Sequence, residues 1–346
     1  MGHRSALGTL LALSSLALAA CADEPTQPNI VPLEPLAAPE LAVASDSWLT
    51  RADMWSVERW DLTAATVPNA AGQSIVYAIG GRSASGGPLG KVMAYNVVTN
   101  AWTVKASLPV PLWGMNQAAV LAGKIYVSGG CSQKACNYTP PSDQLYVYDP
   151  AANTWTGKAA MPGIRDPSGE LLFSGMYGPT GVIGGKLYTL SSCNYGDAPY
   201  FVSCDPSLFF RYNRLTDQWS ALPRPSRSYS AGGVIDQKFY AVGGTRVEVY
   251  DPVTNRWTIR PPLTTPLGGS AVVMLGKLYT FSGSRLTVYD PVTNTATIMG
   301  SEIPTGDSLP GYRPARPATT RVFLNGQPRI EAVGGARPGN NLQYVP

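Results

Sequence analysis

The sequence predicts an all-β fold: a six-bladed β-propeller with four antiparallel strands per blade, its ring closed by the N-terminal strand. Three observations predict it. One set of markers recurs along residues 46–346. The chain is rich in turn formers (36 glycines and 31 prolines) and poor in charge at 14%. Finally, the first and last pieces of the repeat are complementary fragments. Such a composition suits many short strands joined by tight turns.

Residues 1–20 stand outside the repeat. A short positive start, Met1-Gly2-His3-Arg4, precedes an uncharged apolar run from Ala6 to Ala20. That is a signal-peptide pattern, too short for an ordinary spanning helix. The run ends Leu18-Ala19-Ala20-Cys21, which resembles the bacterial lipobox. The resemblance implies that Cys21 becomes the lipidated first residue of an exported, envelope-anchored protein. Ala22 in place of Asp then points to the outer membrane, on its periplasmic side or at the cell surface. The alternative is a plain secretory signal that adjoins a cysteine. Residues 21–45, with five prolines between Ala22 and Ser45 and no glycine or aromatic residue, read as a semi-stiff tether.

The repeat fills residues 46–346. Its first marker is an apolar stretch ending in two small residues: IVYAIGG at 75–81, KIYVSGG at 124–130, KLYTLSS at 186–192, KFYAVGG at 238–244, KLYTFSG at 277–283 and RIEAVGG at 329–335. An unbroken apolar run of strand length suits a strand buried on both faces. Glycines at its end suit a place where neighbouring blades crowd and no Cβ fits. The second marker is a strand ending in Tyr and then a turn, as in VYDPAAN or VYDPVTN, where Asp or Asn bonds the backbone ahead and Pro fixes φ. The third is a Trp two residues past the turn's closing Asn or Asp, at Trp102, Trp155, Trp219 and Trp257, with Ala296 at that place in the fifth unit. Each Trp supplies a large apolar plate between blades.

Double glycine, then Tyr, then Trp at these spacings resembles the kelch repeat over Asp46 to Pro346, and the resemblance implies propeller blades. Unit three departs from the pattern with Ser191-Ser192. The last unit stops at NLQYVP, before any turn or Trp strand, and the opening SDSWLTRADM carries the missing Trp as Trp48. Strand exchange between the two ends closes a ring of six and removes the exposed edges of an open array.

With four up-and-down strands per blade, the long connections fall on one face and the tight turns on the other. Lys124, Lys186, Lys238 and Lys277 then read as solvated turn residues. The long-loop face is the expected binding face. Its candidates are Arg59, Trp60, Trp113, Asn116, Arg165, Tyr177, Arg227, Tyr229, Tyr312, Arg313 and Arg316, an Arg and aromatic collection suited to polar or anionic ligands. The alternative is that the arginines bond the linkers together and the aromatics plug the channel. Four cysteines follow Cys21, and in an exported chain they read as two local disulfides, Cys131–Cys136 and Cys193–Cys204. A four-cysteine zinc site is the other possibility.

Charge and composition narrow the function. Lys+Arg 26 against Asp+Glu 22, without basic runs, gives no nucleic-acid footprint. The single histidine, His3, lies in the signal. Ser-His-Asp triads and His-ligated metal sites therefore have no residues to build them, and neither has the copper site of the galactose oxidase family. The expectation is a monomeric, non-catalytic binding module, without a cofactor, for a protein or glycan ligand. The enzymatic alternative follows another kelch-like precedent, sialic acid mutarotase. It would draw on Asp166 and Glu170 as an acid–base pair, with Arg165 and Arg227 as an anion clamp.

Overall fold

The computed structural model describes residues 46–54, 59–83, 85–134, 142–165, 171–173, 175–191, 194–195, 202–203, 206–300, 317–334 and 341–346. Among these there is no helix. Six four-stranded antiparallel sheets follow one another around an axis. Blade 1 runs Thr63–Pro68, Ser74–Ile79, Val92–Asn96 and Ala101–Lys105 from axis to rim. Blade 2 repeats this with Ala119–Leu121, Lys124–Ser128, Leu145–Asp149 and Thr154–Lys158. Blades 3 to 5 begin at Thr180–Ile183, Ala231–Ile235 and Ser270–Met274. Blade 6 takes Ala318–Leu324, Gln327–Val333 and Asn341–Val345 from the end of the chain and its outer strand, Ser47–Thr50, from the start. Trp48 pairs with Tyr344 in that closure, as the complementary fragments predict.

The core lies between blades rather than at the centre. Six apolar clusters occupy the six blade interfaces, one each, as in the seam where Val322 and Val333 of blade 6 meet Val76, Met93 and Trp102 of blade 1. The repeat glycines belong to this crowding. Gly80 has φ +63°, and a Cβ there would lie 2.5 Å from the Leu112 carbonyl oxygen of the linker into blade 2. Blade 3 solves the same problem in reverse. Ser191 stands where blades 1, 2, 4 and 6 have glycine, and the facing linker residue is Gly175, where any Cβ would meet the Ser191 side chain.

The Tyr–turn–Trp markers form a girdle that locks each blade to the next. In blade 2 the Tyr148 hydroxyl donates to Asn153 Oδ1 at 2.6 Å, and the same oxygen accepts the Ala106 N–H of blade 1 at 2.9 Å. The Trp155 indole then donates to the Ala106 carbonyl at 2.9 Å. Trp102 (2.7 Å, to Ala52) and Trp219 (2.8 Å, to Ala159) repeat that bond. The closing Asn or Asp of each turn sits at φ 53–56°, a left-handed conformation these residues tolerate. Burial pushes the Tyr148 hydroxyl up to about 12. Blade 5, lacking the Trp, is joined to blade 4 by Arg260, which donates to the Pro291 carbonyl at 2.9 Å.

The tight turns carry paired lysines. Lys124, Lys238 and Lys277 reach Asp149, Asp251 and Asp290 at 2.8–3.0 Å, and each aspartate also accepts a backbone N–H of its own turn. These are half-exposed pairs with a turn-forming role. Two short hairpins were not foreseen: Ile164–Arg165 with Leu171–Phe173, and Asn194–Tyr195 with Val202–Ser203.

Candidate functional site

The loop-side mouth of the axis is assembled by the segments that lead into each inner strand. They are stitched around the axis by backbone bonds: Gly114 N–H to Asp61 carbonyl at 2.8 Å, then Tyr177 N–H to Gly114 carbonyl at 3.0 Å. Trp60 and Arg82 exchange backbone hydrogen bonds at 3.3 and 2.8 Å. That clasp sets the Arg82 side chain beside Asp61, with Nε 2.7 Å from Oδ2. The guanidinium lies over the Trp113 ring, 4.5 Å from its centroid, and Tyr177 follows at 6.5 Å. Trp113 is held by its own indole bond to the Gln133 carbonyl at 2.7 Å. The result is a cation held over an aromatic ring, its Nε paired with Asp61 and its side chain one-third exposed. A guanidinium held this way is pre-organised to take a carboxylate through two parallel N–H bonds.

The structure divides the predicted binding residues. Trp113, itself buried at 8% exposure, and the half-buried Tyr177 and Trp60 gather at this mouth, and Arg227 is exposed on the loop side. Arg59, Asn116 and Tyr229 are not surface groups, at 1%, 0% and 2% exposure. Arg59 donates to the Lys91 carbonyl at 2.8 Å and the Ala78 carbonyl at 3.3 Å, and burial lowers it to about 10. Asn116 joins blades 2 and 3 by accepting the Gly178 N–H at 2.9 Å. Tyr229 donates to the buried Glu248 at 2.6 Å, and burial followed by that carboxylate holds its hydroxyl far above the usual phenol range. These three perform the linker-bonding role weighed as the alternative above.

Arg165 lies on the short strand Ile164–Arg165, its side chain outside the described residues. Asp166, Glu170, Tyr312, Arg313, Arg316, Cys21, Cys136, Cys193 and Cys204 also fall outside them. Cys131 is buried beside Trp113. No cluster of three or more potential metal ligands occurs among the described residues.

Three participants escaped the sequence reading. Arg82 and Asp61 follow and precede blade 1's repeat markers without belonging to them. Gln117 crosses the ring: its side-chain amide donates to the Ala271 carbonyl at 2.9 Å, joining blade 2 to the opposite blade 5. This amide spans the channel. Among the described residues, Lys134, Arg227, Arg246 and Arg285 are exposed on the loop-side connections, together with the exposed Asp53.

Comparison with known proteins accounts for the repeat. The kelch motif is matched over residues 68–109, 115–162 and 226–264, so the chain carries kelch repeats. It is 28% identical over 197 residues to the Kelch-like protein terF of Aspergillus terreus, covering 54% of this chain and 41% of that protein. It is 30% identical over 209 residues to human Kelch-like protein 23, covering 58% and 34%. Alpha-scruin of Limulus polyphemus is 28% identical over 220 residues, covering 58% and 22%. The chain thus spans less than half the length of these relatives.

Proposed function

We propose that this kelch-repeat propeller is an exported, lipid-anchored binding module that holds a protein partner through its loop face. One observation carries the reading: Arg82, stacked on Trp113 and braced by Asp61, is a partly exposed guanidinium held in one place at the mouth. Such a surface fits a partner with an acidic segment, and fixed arginine and aromatic anchors are typical hot spots. The chain's entry point supports the display. Asp46 stands where the closing Asn or Asp of the turn stands in the other blades, so the described chain enters the propeller on the side away from the loop face. The lipobox-like Leu18-Ala19-Ala20-Cys21 supports anchoring through Cys21. The antiparallel pair Asn194↔Ser203, which Cys193 and Cys204 flank in sequence, supports a local disulfide there, with Cys131–Cys136 as its counterpart.

Cross-linking capture with the full chain tests the partner reading. Arg82→Ala should weaken capture at least about tenfold, the loss of one charged bidentate contact, and added salt should weaken it further. Capture insensitive to Arg82→Ala and to salt, or specific binding to a glycan array instead, would overturn it. Mass spectrometry of the mature protein tests the anchor: an acylated Cys21 is expected, and release of the Cys21→Ser chain from membranes.

A further inference from the structure

A cavity of about 80 Å³ lies on the axis at the loop-side mouth, and all six blades contribute to its wall. The Gln117 bridge to Ala271 is part of that wall. Two hydroxyls lining it, Ser270 Oγ on blade 5 and Thr319 Oγ1 on blade 6, are buried without a hydrogen-bond partner, and Thr319 is only 5% exposed. Neighbouring hydroxyls are satisfied: Thr63 accepts the Ala118 N–H at 2.8 Å, and Thr66 and Thr320 bond each other at 2.9 Å. A buried polar group left without a hydrogen bond is destabilising. Two such groups on adjacent blades around one void point to an occupant.

The lining also sets the chemistry of that occupant. Asp61 is the one charged residue in the wall, and Arg82 already pairs with it at 2.7 Å, so neither an anion nor a cation finds an unmatched counter-charge. Met115, Pro179 and Ala231 supply apolar wall. An engineered cavity of about 150 Å³ takes benzene, so the axial cavity has room for roughly three or four heavy atoms. A primary carboxamide has that size and presents both a carbonyl and an NH₂ at its tip. An acetamido group on a sugar would instead present its methyl to the two hydroxyls.

We infer that the axial cavity receives the side-chain carboxamide of an Asn or Gln from the bound protein, with Ser270 and Thr319 as its hydrogen-bond partners. This rests on the loop-face reading above and names the residue type the partner inserts. Acetamide is the probe, with ligand-observed NMR and thermal shift on the full chain. Acetamide should bind in the millimolar range, with acetate, methylammonium and N-acetylglucosamine each at least about tenfold weaker, since a desolvated charge or a mismatched tip loses a hydrogen bond's worth or more. Thr319→Val keeps the side chain's shape and should weaken acetamide about three- to tenfold. Ser270→Ala should do the same, and unchanged melting of either variant in the absence of probe separates binding from folding. Binding that ignores both substitutions, prefers N-acetylglucosamine, or is absent overturns the inference. Acetamide does not need the Arg82 edge, so failure of the cavity and failure of the partner reading remain separate results.

Discussion

Blade 2 and blade 6 build the same corner from different material. In blade 2 a covalent turn joins Asp149 to Thr154, and Tyr148 bonds Asn153 across it. In blade 6 no turn connects the strands. Tyr344 nevertheless donates to Asp46 Oδ1 at 3.0 Å, Asp46 takes φ 54°, and its other oxygen accepts the Gly300 N–H of blade 5 at 3.1 Å. The corner is therefore specified by side-chain hydrogen bonds, because it forms without the peptide bonds. The interiors differ as well. Blade 2 places Tyr126 opposite Val147, whereas the matching pair in blade 6 is Glu331 and Gln343, both wholly buried, with Arg329 bonded to Gln343 at 2.8 Å. A hairpin turn normally sets strand register, and a one-residue slip would turn Trp48 out of its interface. Across the open corner the start of the N-terminal strand is held by the bonds that Asp46 accepts from Tyr344 and Gly300.

The largest difference between the two blades is expected at Trp48, which packs edge-on to Phe281 at 6.0 Å and against Tyr344 at 5.2 Å. Trp48→Ala should cost about 3–5 kcal/mol in chemical denaturation. Trp155→Ala should cost less, because blade 2's outer strand is held by its turn; equal losses would contradict a special weakness of the closing blade. The next lever is pH. Burial pushes the Glu331 carboxyl up to about 8 from 4.5, against the lowering effect of Gln343, Arg51, Asn341 and Arg329. A raised acid stabilises the fold while protonated, so its contribution is full below about pH 4.5 and is lost as pH rises through about 8. Melting temperature should fall between pH 6 and 9 by an amount worth a few kcal/mol, on the order of 1.4 kcal/mol per unit, and Glu331→Gln should flatten the curve. A wild-type curve with no such fall would place the carboxyl in a better-solvated setting.

A smaller effect sharpens the equivalence of the corners. Asp46→Ala and Asn153→Ala should each cost about 1–2 kcal/mol, the cost of an orphaned buried hydroxyl; a neutral Asp46→Ala would show the open corner to be decorative. The smallest change is expected at the turn lysines, whose ion pairs are solvent-screened. Lys124→Met should scarcely move stability at neutral pH.

The ring was legible in the sequence because each marker is local: glycine pair, Tyr, turn and Trp lie within one blade and repeat. Even the closure could be read, from Trp48 standing in a fragment without its partner strands. The mouth was legible only in outline. Trp113 and Tyr177 carry an aromatic signal, but Gln117 meets Ala271 across the full width of the ring, and no short-range pattern encodes that. Arg59 shows the opposite difficulty. Composition marks an arginine as a surface group, and only the converging Lys91 and Ala78 carbonyls reveal a site that buries it.

The open corner has a consequence for where the chain could start. Val345 pairs with Ser47 just as Asp149 pairs with Thr154, so Tyr344-Val345-Pro346 aligns with Tyr148-Asp149-Pro150, and Asp46 aligns with Asn153. Two residues inserted between Pro346 and Asp46 would complete a sixth turn of the same pattern. The ring could then be cut at any of the other five, giving circular permutants with the same blades and a different first strand.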